Sequence, residues 1–210
     1  MESLSNSKYY VTNRYARIIL GGYAEILGRD RLTRVLSQAG LDAWLADYPP
    51  DDLESGVEFA SFSALEMALE ELYGRRGGCG LAIRAGRAAV SELLHAFGAQ
   101  MGVDQVAFKL LPLREKIGAG LHALAGLLGE VSDQPAMVVE QDDRFLFILS
   151  RCASCWGREQ ADHPLCSLMT GILQEWVLWL AAGQDWPVVE TRCIAMGAAV
   201  CEFDIPKSAA

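Results

Sequence analysis

Residues 188–205 read Val188-Val-Glu190-Thr-Arg-Cys193-Ile-Ala-Met-Gly197-Ala-Ala-Val-Cys201-Glu-Phe-Asp-Ile205. Two β-prone runs, Val188 to Ile194 and Ala198 to Ile205, flank Met196-Gly197, a pattern that predicts an antiparallel hairpin. Glu190 and Cys193 fall on the first strand and its adjoining turn, and Cys201 falls on the second, so closing the turn brings a carboxylate and two thiols together. A zinc ion takes four such donors in a tetrahedron, as thiolate, neutral imidazole or carboxylate. Cys166, near the start of the preceding helix, is the economical fourth donor. Cys152-Ala-Ser-Cys155 is a rival pair that would complete a four-thiolate site with Cys193 and Cys201, or act as a redox pair. His163, just before Pro164, is a further candidate. The alternative to any metal is a set of buried free thiols, since free cysteine is among the most buried residue types.

Upstream of the hairpin, Leu165 to Ala182 has helical periodicity and ends at Gly183. Before it, Met137 to Glu140 and Phe145 to Ser150 flank Gln141-Asp-Asp-Arg and predict a first hairpin with a polar turn. The N-terminal part is helical. Tyr15, Ile18, Ile19, Tyr23, Ile26 and Leu27 recur at helical spacing up to Gly28, and a second helix runs from Asp30 to Gly40. A short third turn spans Asp42 to Ala46, and Pro49-Pro-Asp-Asp52 reads as a loop. Ser63 and Glu66 fit a capping box for a helix over Ala64 to Tyr73. Gly74-Arg-Arg-Gly-Gly-Cys-Gly80 then reads as a mobile, glycine-rich connector. Further helices are predicted over Ala85 to Met101 and Pro112 to Leu128. The small residues of the latter, from Gly118 to Gly126, predict close helix packing, with a ligand wall as the alternative.

Helices followed by strand, strand, helix, strand, strand define an α+β chain: N-terminal helices, then an antiparallel sheet of two hairpins with an intervening helix, stapled by zinc at the C-terminal hairpin. The expected organisation is a flexible lead-in over 1–12, a helical portion over 13–131 and a zinc-binding α+β portion over 132–206, packed as one domain and followed by a disordered tail from Lys207. At 210 residues the chain is long enough to bury a sizeable core. A formal charge of -9 argues against a nucleic-acid partner. No apolar run reaches the length of a membrane span, and the first residues lack a secretory pattern, so a cytoplasmic location is expected. In that reducing setting the six cysteines read as thiols or ligands before disulfides.

Leu165-Cys166-Ser-Leu-Met-Thr-Gly171, Val188 to Gly197 and Cys201-Glu-Phe-Asp-Ile205 together resemble the 4-vinyl-reductase domain family, over about Phe145 to Ile205. That family occurs in a bacteriochlorophyll biosynthesis protein, in stand-alone hydrocarbon-binding proteins and in the sensor modules of aromatic-responsive activators. The resemblance implies a structural zinc on Cys166, Glu190, Cys193 and Cys201, and a fold similar to that of transport-particle subunits, which dimerise through their helices. Gly197-Ala198 stands where the family usually has Gly-Asp, so any contact of that aspartate is absent.

The resemblance further implies a cytoplasmic, homodimeric protein that binds a hydrophobic, aromatic, lipid or tetrapyrrole molecule as sensor or carrier. Apolar residues expected to wall such a pocket are Phe108, Leu113, Ile117, Leu121, Phe145, Phe147, Trp176 and Trp179, each of which suits a core equally well. The competing expectation is a reductase, or an auxiliary protein, acting on a vinyl tetrapyrrole in (bacterio)chlorophyll synthesis. Hydride transfer calls for a nicotinamide or flavin, and the chain has no Gly-x-Gly-x-x-Gly between a strand and a helix, so a binding role is expected over a catalytic one. A Walker A sequence is also missing, and a signalling role would run through a separate partner.

Overall fold

The structure, a computed structural model, describes residues 8–208. A short strand, β1 (Tyr10–Thr12), leads directly into α1 (Asn13–Leu27), α2 (Arg29–Gln38) and α3 (Ala43–Ala46). Strand β2 (Ser55–Glu58) returns to pair antiparallel with β1 and runs straight into α4 (Phe59–Met101). Then follow α5 (Val106–Lys109), α6 (Leu113–Val131), β3 (Ala136–Glu140), β4 (Arg144–Leu149), α7 (Ser167–Leu180), β5 (Val189–Arg192) and β6 (Cys201–Pro206). The chain is therefore α+β, with two antiparallel sheets. No helix among the described residues is long and apolar enough to cross a membrane.

Four local expectations change. Residues 10–12, assigned to a flexible lead-in, form β1; residues 1–7 lie outside the described part. Ser63 and Glu66 are not a capping box. The Phe59 N–H donates to Tyr9 O at 3.1 Å, which starts α4 four residues earlier, and both side chains are buried inside the helix. Gly74 to Gly80 is not a mobile loop either. Only Gly74 leaves helical geometry, at φ 71°, and the chain resumes the helix at once, so no run of free N–H groups faces solvent. A lone residue in this region breaks the helix direction without opening a loop, and glycine meets no Cβ penalty there. Lys207 is not disordered: its Nζ donates to Glu140 Oε1 at 2.6 Å, and the side chain is almost fully covered.

The two predicted hairpins merge into a single four-stranded sheet of order β3-β4-β6-β5. Strands β4 and β6 pair with Phe145 opposite Ile205, Phe147 opposite Phe203 and Leu149 opposite Cys201, and all six are buried. Period-2 alternation places them on one face, and register is held because a one-residue slip would turn all six outward. Between β5 and β6 the connection is longer than a tight turn: a 3-10 turn (Ile194–Met196) ends at Gly197, φ 90°.

Helix α7 is central. Its buried residues surround it, and Trp176 Nε1 donates to Gly120 O of α6 at 3.0 Å. Against α4 the approach is backbone to backbone: a Cβ on Gly171 would lie 2.0 Å from Ile83 O, and one on Gly86 2.2 Å from Leu168 O. The small residues of α6 also serve packing, with Gly120 against Leu180 and Gly118 against the Phe145 ring.

Candidate metal centre

Five of the six cysteines converge where β4, α7 and β6 meet. Leu149 pairs with Cys201 at the start of β6, so the chain leaving β4 passes the same spot as the loop Cys152-Ala-Ser-Cys155. That loop is anchored on both sides. The Ala153 N–H donates to Gln134 Oε1 at 2.8 Å, and the Trp156 ring packs edge-on against Tyr9 and Phe59. Arg158 then forks onto both carboxylate oxygens of Glu70 on α4, at 3.0 and 2.8 Å, a bidentate geometry that fixes orientation as well as charge. Cys166 stands at the N-cap of α7, and its N–H donates to Glu190 Oε2 at 2.8 Å. Cys193 immediately precedes the 3-10 turn, whose Ile194 N–H points at Cys201 Sγ, 3.4 Å away.

The sulfur separations are 3.3 Å for Cys152–Cys166, 3.5 Å for Cys166–Cys201, 3.6 Å for Cys155–Cys201 and 3.9 Å for Cys166–Cys193. A tetrahedral ion with zinc–sulfur bonds of about 2.3 Å spaces its sulfurs about 3.8 Å apart. The spacing is that of ligands around an ion. Cys166, Glu190, Cys193 and Cys201 have donor atoms all within 4.8 Å of one another; the same holds for Cys152, Cys155, Cys166 and Cys201. The rival pair thus joins Cys166 and Cys201 in a second set of four, where the sequence suggested Cys193 and Cys201. His163 belongs to neither set; its Nδ1 lies 2.6 Å from Asp162.

The electrostatics call for a cation. All five thiols are buried, where a thiolate without compensation is strongly disfavoured. Hydrogen bonding among them divides the protons unequally. S–H groups of Cys155, Cys166 and Cys201 hold Cys152 well below the usual thiol range, and those of Cys155, Cys166 and Cys201 do the same for Cys193. Cys155 and Cys201 are raised first by the Cys152 thiolate, and Cys166 first by burial. Burial, followed by the Cys193 charge, pushes Glu190 up to about 9, and its Oε1 has no hydrogen-bond partner among the described residues. A dication would replace those shared protons and engage that oxygen.

The predicted pocket residues are scattered. Ile117, Leu121, Phe147 and Trp176 lie in the closed core, Phe108 is half-buried, and Leu113 and Trp179 reach the surface. Phe145 borders a cleft of about 500 Å³ between α6 and the sheet, with Gly118, Ala119 and His122 on one wall and Arg114 and Glu140 at its rim. A second cleft, of about 630 Å³, lies against the cysteine loop. Sequence reasoning missed that Cys152 and Cys155 share the centre with the other three cysteines; the Cys-x-x-Cys spacing was the available signal.

Residues 147–207 match the family model of the 4-vinyl-reductase domain, which bears out the resemblance over that segment. No curated protein matches the chain by sequence. Among solved structures it is similar to the Fe(II) unliganded H-NOX protein from K. algicida, at 10% identity and a TM-score of 0.61, covering 95% of this chain and 97% of that one. It is also similar to an H-NOX protein from S. oneidensis in the Fe(II)NO ligation state, at 13% identity and a TM-score of 0.52, covering 90% of this chain and 96% of that one. A third similar structure, from a study of heme distortion in the H-NOX family, has 10% identity, a TM-score of 0.57 and 93% coverage of each chain. These likenesses extend the shared fold from the C-terminal segment to nearly the whole chain.

Proposed function

We propose that the chain is a small-molecule-binding protein of sensor or carrier type, in which a structural zinc on Cys166, Glu190, Cys193 and Cys201 ties α7 to β5 and β6. The observation that carries this reading is the convergence of those four donors, within 4.8 Å of one another, on the N-cap of the most deeply packed helix. A closed set of three thiolates and a carboxylate leaves no open coordination position, so the ion acts on structure. Its energetic effect is to tie separate elements together, because ligands brought together only in the folded chain make metal binding part of folding.

The ligand is placed in the cleft between α6 and the sheet. Gly118 and Ala119 lower that wall, the Phe145 ring supplies an apolar floor, and Arg114 and His122 offer polar groups at the mouth. An apolar body with a few polar groups at its edge is the usual requirement of such a site. A planar ring system bearing carboxylates, of the tetrapyrrole class, meets it. H-NOX proteins, whose structures concern heme, share the fold.

Elemental analysis and native mass spectrometry of freshly purified protein test the metal part: bound zinc is expected, and well-folded metal-free protein overturns it. Titration with protoporphyrin IX, read by tryptophan fluorescence, tests the ligand part. Saturable quenching that is lost in Ala119→Trp is expected. Quenching unchanged by that substitution overturns the placement.

A further inference from the structure

The centre contains more donors than one ion can use. Six side chains converge, five thiols and the Glu190 carboxylate, and they fall into two sets of four that share Cys166 and Cys201. Two tetrahedra joined along an edge need six donors, two of them bridging. We infer that this centre is binuclear: two divalent, thiophilic ions of the zinc class, bridged by Cys166 and Cys201. Cys152 and Cys155 are the terminal ligands of one ion, and Cys193 and Glu190 those of the other.

Geometry and charge both support this arrangement. The shared edge, Cys166 to Cys201, is 3.5 Å long, and each terminal thiol of the second ion lies next to a bridge: Cys152 is 3.3 Å from Cys166, and Cys155 is 3.6 Å from Cys201. Each separation suits two sulfurs on one ion at bond lengths of about 2.3 Å. A single ion on Cys166, Glu190, Cys193 and Cys201 carries a net charge of minus two. Adding a second dication with the thiolates of Cys152 and Cys155 leaves that charge unchanged, so the second ion costs no further buried charge. With one ion, the two remaining thiols would keep their protons in a buried site whose only nearby acceptors are thiolates already bound to metal. The loop is also built for a fixed ligand role. Trp156 and Arg158 lock its far side, and the Gln134 side chain holds its backbone at Ala153.

The two ions are chemically unequal. One has four thiolates and borders the 630 Å³ cleft lined by Cys152 and Cys155; the other has three thiolates and a carboxylate. The first is therefore the one that a chelator reaches sooner.

The inference rests on the zinc reading above, because Cys166 and Cys201 must already be thiolates to bridge, and the test separates the two. Zinc is counted per chain in purified wild-type protein, after which the metal is exchanged for cadmium-113 and its NMR spectrum recorded. Two ions per chain are expected, with two resonances split by mutual coupling through the bridging sulfurs. In the Cys152→Ser/Cys155→Ser double variant one ion and one unsplit resonance are expected. One ion in the wild type overturns the inference and leaves the zinc reading standing; no metal overturns both. Two resonances without coupling, or iron with acid-labile sulfide, also overturn the binuclear thiolate bridge. Because the count and the coupling are read on the wild type, a double variant that fails to fold does not remove the test.

Discussion

Helix α7 is held in two different ways along its length. Its N-terminus is fixed by chemistry: Cys166 lies among four other thiols and hydrogen-bonds Glu190 through its N–H. One turn further on it is fixed by shape, where Gly171 and Gly86 let α7 and α4 approach so closely that no Cβ fits between them. The first anchorage depends on pH, redox state and metal supply; the second depends on none of these. A protein that positions one helix by both means can lose its metal without losing the crossing, and the comparison is open to direct test.

The largest effect is expected from Cys166→Ser, which removes a donor common to both ligand sets. Zinc should be lost, and unfolding stability should fall by more than about 4 kcal/mol, the range reserved for losses such as a structural metal. Calorimetry with parallel metal analysis checks this. A stable, zinc-loaded variant would move the anchorage away from Cys166. Gly171→Ala comes next. Its added Cβ meets Ile83 O at 2.0 Å, and forced separation of packed elements costs about 3 kcal/mol. Denaturant unfolding should show that loss with the metal content unchanged, which distinguishes the two anchorages.

Trp176→Phe should cost about 2 kcal/mol, because it leaves the Gly120 carbonyl buried without its donor. This loss should again leave the metal in place. The smallest effect concerns Glu66, buried in α4, whose pKa is raised well above the carboxylate range by burial. The folded chain keeps a proton there that the unfolded chain has lost, so stability is fully present below the ordinary carboxylate range and falls as pH rises above it. Glu66→Gln should flatten that fall. Denaturant midpoints at about pH 5 and about pH 8, on either side of that fall, should differ less in the zinc-loaded variant than in the zinc-loaded wild type.

Much of the fold was legible in local pattern. The periodicity of Tyr15, Ile18, Ile19 and Tyr23 located α1, and the alternation of Phe145, Phe147 and Leu149 located β4 with its inward face. Phe59 and Phe62 misled differently. They continue the apolar face of α4, but Ser63 and Glu66 carry a cap signature, and the helix start was settled by a hydrogen bond to Tyr9, a residue far back in the chain. Gly74 to Gly80 failed for a related reason. Glycine weakens a helix locally, but packing of the flanking turns, including Gly78 against the backbone at Glu70, outweighs that propensity.

By itself the sequence determined the α+β class, the antiparallel strands and the presence of a cysteine-rich site with Glu190, because these follow from residue type and short spacing. Only the tertiary structure decided the order β3-β4-β6-β5, the glycine crossing of α4 and α7, and the membership of Cys152 and Cys155 in the same centre as Cys166 and Cys201. Those features depend on which distant segments share space. Residue type states what a side chain can bind or fill, but the packed chain alone sets the few ångströms that decide whether it does.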